Sequence, residues 1–319
     1  MPFDGFVMSA VRQELADKIL GGRIGKIYQP ERHSVMLKIK KGTENFQLLI
    51  SAHPVTGRIH LTRESKDNPL QPPLFCMVLR KHLEGGRITA IEQKDLDRVL
   101  NFSIEAHDEI GQPAKKTLIV EIMGKHSNIV LVNQKDNTIL DGIKRYTHQV
   151  SRHREILPGR DYIPPPDQQK ADPLGMDEEE FQNLLLSLPL TTKVTNGLVK
   201  TLSGFSPLLA EEVVWRAELP QQMIIDHLGD YDLIRLWQAI TEVLAPIKEN
   251  KIQAHVALIQ GKVRDFSFLP LLSLENTRLV GFPSMSAALD FFYIQKEAGD
   301  LFSARQRELI KIVSGEKER

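Results

Sequence analysis

The 319-residue chain predicts an α+β fold, an antiparallel β domain interrupted by a helical module. Three observations predict it. Strand-like segments come in runs through the first 150 residues with few helices between them, which favours an antiparallel sheet or sandwich over a doubly wound sheet. The proline-rich stretch Arg154–Gly175 then forbids both helix and central strand. Beyond it the pattern turns helical, and near Ile252 it returns to strands. A helical module is therefore inserted, and the last strands complete the first domain.

The elements follow in order. A first helix is predicted over roughly Ser9–Leu20, stopped by Gly21-Gly22. Short strands come next at 23–30, 34–41, 45–52 and 57–62. The polar stretch Ser65–Pro73 leads into a helix whose apolar stripe is Phe75, Val78 and Leu79 and which Gly85-Gly86 ends. A meander is predicted at 87–93, 97–106, 116–123, 128–134 and 138–144. Helical patterns cover 176–188, 191–204, 206–219 and 231–247, and strands return at 252–271. From Ala288 a helical pattern runs to Arg319 without a cap. It reads as the start of a longer helix or coiled coil, with a plain terminal helix as the alternative.

Composition narrows the class. Hydrophobic residues at 41% and charged residues at 26% are globular values. No apolar run approaches the ~20 residues that span a bilayer, and the start shows no basic region leading into an apolar core. The single cysteine, Cys76, excludes an internal disulfide and a cysteine-rich zinc site. Its apolar neighbours make it a buried, inert thiol rather than a nucleophile. A cytoplasmic protein without cofactors is expected. The zero net charge hides an asymmetry: residues 1–170 hold 26 Lys and Arg against 20 Asp and Glu, and residues 171–319 hold 15 against 21. That mild basic excess permits an RNA partner without demanding one.

Catalytic signatures are missing. There is no Gly-x-Gly-x-x-Gly, Walker loop, His-Glu-x-x-His or Gly-x-Ser-x-Gly, and the histidines are scattered. Three other stretches carry chemistry. In Gln93–Gly111, Leu100, Phe102 and Ile104 share one strand face, and Arg98 falls on the same parity while Asp97 points away. A buried arginine needs carboxylate partners, so Arg98 is either in a structural ion pair with Asp95 or Glu92 or aimed at an anion or base edge. In Glu121–Asn133 the loop Gly124-Lys125-His126-Ser127-Asn128 is either a well-made turn or a phosphate-binding loop. In Leu198–Ala217 a helix closes at Gly204, Ser206 caps the next helix and Pro207 takes its first position. That arrangement is like a helix-hairpin-helix, although Ser206 stands where the second glycine is usual and Glu211-Glu212 oppose a phosphate. A purely structural hairpin is the alternative.

As a set, "MPFDG", "RIGKIYQP", "LLISAHP", "PPLFCMVLRKHLEGG", "LDR", "EIMGKHSNIVLV", "LPGRDYIPPP" and "GFSPLLAEE" resemble the NFACT family, in order and over nearly the whole chain. The resemblance implies an NFACT-N domain, an antiparallel β-sandwich with flanking helices similar to the N-terminal domain of formamidopyrimidine-DNA glycosylases. That domain would occupy 1–172 and 249–297, interrupted at 173–248 by a helix-hairpin-helix module and followed at 298–319 by the start of a truncated coiled-coil arm. It implies a non-catalytic factor of ribosome-associated quality control. Such a factor binds an obstructed large ribosomal subunit with peptidyl-tRNA and recruits alanyl-tRNA for template-free alanine tailing. The family's Asp-Arg motif, implicated in tRNA recognition, maps onto Asp97 and Arg98, and the Gly124–Asn128 loop matches a further family motif. Two rivals come with the resemblance. Fibronectin or fibrinogen binding at the cell surface is one. Glycosylase activity is the other, opposed by Phe3 standing where those enzymes carry glutamate after the proline at Pro2.

Overall fold

The computed structural model describes residues 3–107, 111–149, 151, 153–299 and 305. The chain opens with α1 (Gly5–Ile19), a run of four strands, β1 (Arg23–Glu31), β2 (Ser34–Lys41), β3 (Glu44–Ser51) and β4 (Arg58–Leu61), and then α2 (Leu74–Leu83). Five more strands follow: β5 (Arg87–Gln93), β6 (Val99–His107), β7 (Pro113–Glu121), β8 (Asn128–Asn133) and β9 (Thr138–Gly142). These nine form one antiparallel sheet in the order β4-β3-β2-β1-β5-β6-β7-β8-β9. Helices α3 (Glu178–Leu186), α4 (Val194–Thr201), α5 (Pro207–Arg216) and α6 (Asp230–Lys248) come next. The strands β10 (Ala254–Ile259), β11 (Lys262–Ser267) and β12 (Arg278–Phe282) form a second sheet, and helix α7 covers 285–299. The predicted coiled-coil start at 298–319 lies, apart from residues 298, 299 and 305, outside the described residues.

The large sheet is two similar halves joined edge to edge at β1 and β5. Each half is a helix, two glycines, and a meander. β1 and β5 share only the Arg23–Arg87 pair, and around it the bonds are reciprocal. Gly21 N donates to Ile88 O and Gly85 N to Ile24 O, both at 2.8 Å; Ile24 N donates to Gly86 O and Ile88 N to Gly22 O. Arg23 donates to Gly85 O and Arg87 to Gly21 O, so each arginine satisfies the carbonyl left beyond the other half's helix. Gly21 and Gly85 take φ near +80°, the left-handed conformation that ends a helix at little cost for glycine.

Inward strand residues from both halves join one core with α1 and α2. Ile24, Ile27, Leu37 and Ile39 from one half meet Leu100, Phe102, Ile104 and Leu118 from the other. The predicted parity of Leu100, Phe102 and Ile104 therefore holds. The first helix begins at Gly5, not Ser9, because Asp4 caps it by accepting from Phe6 N and Val7 N. Helix α7 covers the β4 edge: Ser286 Oγ accepts from Leu61 N, and Asp290 lies 2.8 Å from buried His60. Burial pulls the His60 imidazole below its usual range, against the pull of Asp290. Cys76 is buried and burial raises its thiol, as its apolar neighbours predict.

The outer face of β6–β9 carries a second core of Val99, Ile119, Val130 and Ile139, covered by Tyr146 and Tyr162. A buried ion pair anchors that cover. Arg154 forks onto Glu121 at 2.7 and 2.5 Å, and Tyr162 donates to the same carboxylate at 2.8 Å. Burial alone would weaken the Arg154 cation, but the Glu121 bonds outweigh it and raise its pKa. Glu121→Ala strands that arginine and is expected to cost about 3–5 kcal/mol. Urea unfolding of the two proteins measures it, and an unchanged midpoint would contradict the role given to the pair.

Candidate nucleic-acid interface

Asp97 and Arg98 lie in the turn between β5 and β6, not inside the strand. Regular pairing starts one residue later, at Val99 opposite Glu121. The turn is held from several sides. Asp95 takes φ +49°, Asp97 N donates to Lys94 O, and Arg98 O accepts from Ile122 N at 2.9 Å. The Gln93 amide donates to both Gly5 O and Asp97 O at 2.9 Å.

Three backbones meet here. A Cβ on Gly5 would stand 2.0 Å from Leu96 O and 2.6 Å from Gly204 Cα. Gly5 N donates to Gly204 O at 3.2 Å. Only glycine fits where α1, the β5–β6 turn and the α4–α5 turn touch. Gly204 has φ +80° and faces the Phe6 ring. Phe205 meets Phe6 edge-on at 5.5 Å. Ser206 caps α5 by accepting from Leu209 N and donates to Asp4 at 2.7 Å, with Pro207 opening the helix as the sequence predicts. One carboxylate thus ties the starts of two helices. Glu212, read from sequence as an obstacle to phosphate, is buried and accepts from Arg216, Leu272 N and Ser273 N; Glu211 stays exposed.

These pieces enclose a cleft of about 220 Å³ lined by Asp4, Asp97, Arg98, Lys170 and the Gly204–Ser206 turn. Arg98 is half-buried and forms no side-chain hydrogen bond or ion pair among the described residues. The predicted partners Asp95 and Glu92 do not pair with it. Burial weakens its cation, and Asp4 and Asp97 act against that from beyond contact distance. Burial also raises Asp97, whose carboxylate accepts from Gln168 at 3.3 Å. Asp4 is raised by burial too, against its bonds to Ser206 and two amides. The guanidinium stays charged at neutral pH and is left facing open space.

The Gly124–His126 turn stands at the same end of the sheet, two residues past Ile122. Gly124 has φ +60°. Ser127 and Asn128 are fully buried: Ser127 accepts from Met123 N, and Asn128 bridges to Lys144 N and O. Lys125 and His126 are exposed. The loop is thus both a built turn and a carrier of one exposed lysine and one imidazole. It does not line the Arg98 cleft. Sequence reading missed Asp4, Gln168 and Lys170. Asp4 sat in view in "MPFDG", and the other two lay in a stretch read only as a boundary.

The family model described as NFACT N-terminal and middle domains matches residues 4–319. The chain belongs to the NFACT family. It is 38% identical over 324 residues to the Rqc2 homolog RqcH of Bacillus subtilis, covering 100% of this chain and 53% of that protein. The Streptococcus suis Rqc2 homolog RqcH is 34% identical, with the same coverages. This NFACT chain therefore spans about half the length of the curated relatives it matches. Among solved structures, the fibrinogen binding protein of Staphylococcus aureus matches at 32% identity and TM-score 0.77, covering 92% of this chain and 99% of that one. The N-terminal part of the Streptococcus suis fibronectin/fibrinogen-binding protein matches at 34% and 0.73, covering 91% and 98%.

The NFACT cleft depends on the three-backbone contact. Gly5→Ala is expected to cost about 3 kcal/mol or more, at the upper end of overpacking penalties. Thermal melts of the variant check this, and a melting temperature equal to that of the parent would show that the contact has slack.

Proposed function

We propose that this NFACT chain is part of a ribosome-associated quality control factor, and that its Asp97–Arg98 cleft engages tRNA. The reading is carried by one observation: Arg98 is half-buried, fixed by its backbone and, among the described residues, without a carboxylate in ion-pair contact, in a cleft that also offers the Asp97 acceptor. A planar five-donor fork beside a carboxylate matches the acceptors and donors of a base edge. Family membership supports it, since the relatives include Rqc2 homologs and a human protein named ribosome quality control complex subunit NEMF.

On this reading the partners are an obstructed large ribosomal subunit with peptidyl-tRNA and an incoming alanyl-tRNA, recruited for template-free alanine tailing in the cytoplasm. The chain positions tRNA and the ribosome makes the peptide bond, so the chain itself is no enzyme. Residues 173–248 act as a helix-hairpin-helix-like module set into the NFACT-N domain, lending the Gly204–Ser206 turn to the cleft. Lys125 and His126 add a second contact at the same end of the sheet. Fibronectin or fibrinogen binding is a second reading, favoured by the names of the streptococcal and staphylococcal relatives.

Binding of alanyl-tRNA to the parent and to Asp97→Ala/Arg98→Ala tests the first reading. The variant is expected to bind at least about tenfold more weakly, about 1.4 kcal/mol, with an unchanged circular dichroism melt. Equal binding by both proteins would place the contact elsewhere.

A further inference from the structure

The segment between the β strands and the helices is more than a spacer. Gln168 and Lys170 lie in the stretch Pro164–Ala171, and both line the Arg98 cleft. The stretch is stitched to the helical hairpin one residue beyond Lys170. Ala171 N donates to Thr201 O at 2.9 Å, and Ser203 N donates to Ala171 O at 2.8 Å. Those bonds bracket Leu202 and lead straight into Gly204-Phe205-Ser206. Lys170 is therefore held at a fixed place by the backbone of the turn that forms the opposite wall.

Its environment is unusual for a lysine. It is half-buried, and among the described residues its ammonium makes no ion pair or hydrogen bond. Burial pulls its pKa down, and the Arg98 cation pulls it further; Asp97 opposes both without an ion-pair contact. Of the nearby carboxylates, Asp4 is engaged through both oxygens and Asp97 through Oδ1, and neither is in ion-pair contact with Lys170 among the described residues. Asp4 holds two backbone amides and Ser206, and Asp97 holds the Gln168 amide. Two cations thus face one small cleft with no counter-ion in contact. Holding like charges together in a partly dry site costs free energy. An anion entering the cleft would relieve that cost and give both cations a charge-assisted partner.

We propose that Lys170 is a ligand-contacting residue of this cleft, taking a backbone phosphate of the nucleic acid whose neighbouring groups meet Asp97 and Arg98. The inference rests on the tRNA reading above. The division of labour follows from shape. A lysine is a compact point charge suited to a phosphate, and the arginine fork with its carboxylate neighbour suits a base edge. A cleft of about 220 Å³ is smaller than a typical ligand pocket of ~300–1,000 Å³. It holds one such unit rather than a folded ligand, so the strand must continue over its rim.

The test is tRNA binding by the 319-residue chain at four or five salt concentrations, comparing the parent with Lys170→Gln, Lys170→Arg and Asp97→Ala/Arg98→Ala. Lys170→Gln is expected to weaken binding about threefold or more and to reduce the slope of log affinity against log salt by about 1. Lys170→Arg keeps the charge and is expected to restore the slope, which a merely structural loss would not do. If Lys170→Gln leaves affinity and slope unchanged while the Asp97/Arg98 variant binds weakly, the Lys170 inference is overturned and the tRNA reading stands. If neither variant changes binding, the tRNA reading fails at this cleft and the inference falls with it.

Discussion

Everything at the candidate site depends on the absence of one side chain, at Gly5. There, three backbones from positions about 90 and 200 residues apart in sequence come within reach of a single missing Cβ. The contact fixes the start of α1 against the β5–β6 turn and against the α4–α5 turn. Asp4 and Ser206 then lock the two helix starts to each other, and Gln93 locks the turn to Gly5. The cleft is consequently a by-product of close packing rather than a loop-lined opening. Its walls have little freedom, which is what a site needs if it is to read orientation as well as charge.

The polar groups divide into those already occupied and those left over. Asp4, Ser127, Asn128, Glu121 and Glu212 are buried, and their hydrogen bonds are taken up by backbone amides, hydroxyls or arginines of the same chain. These residues hold shape. Arg98 and Lys170 are not so engaged, and Lys125 and His126 point outward. An inventory of polar residues by type would not separate these groups. The separation comes from asking where each donor and acceptor finds its partner. It also separates the two cations of the cleft, Arg98 and Lys170, from the acids Asp4 and Asp97 that share its walls without an ion-pair contact among the described residues.

The sequence made the strands legible because most alternate or run apolar between turn residues, and both double glycines marked helix ends. The Ser206-Pro207 start of α5 was legible for the same local reason. The true start of α1 was not. Gly5 to Val11 are buried on every side, so no amphipathic stripe shows, and the stripe appears only further along. Strand β12 was missed because most of its residues are half-exposed or exposed and carry little apolar signal. The glycine pairs were read as stop signals, and their role as reciprocal, approximately two-fold crossings of two half-sheets needed the register of β1 against β5. Asp97 and Arg98 were placed on a strand whose pairing begins at Val99. The Arg154 partner Glu121 is 33 residues away, and Lys170 sits in a polar, proline-rich stretch. Neither carries a local pattern, since only the fold brings them to their sites.

On the proposed function, one cleft assembled from three distant segments meets tRNA as a unit. Hydrogen–deuterium exchange of the chain with and without alanyl-tRNA tests it most directly. Amides at 94–98, 168–171 and 203–207 are expected to gain protection together, at the same tRNA concentration. Protection confined to α3 and α6, or absent from all three segments while tRNA is bound, would contradict it.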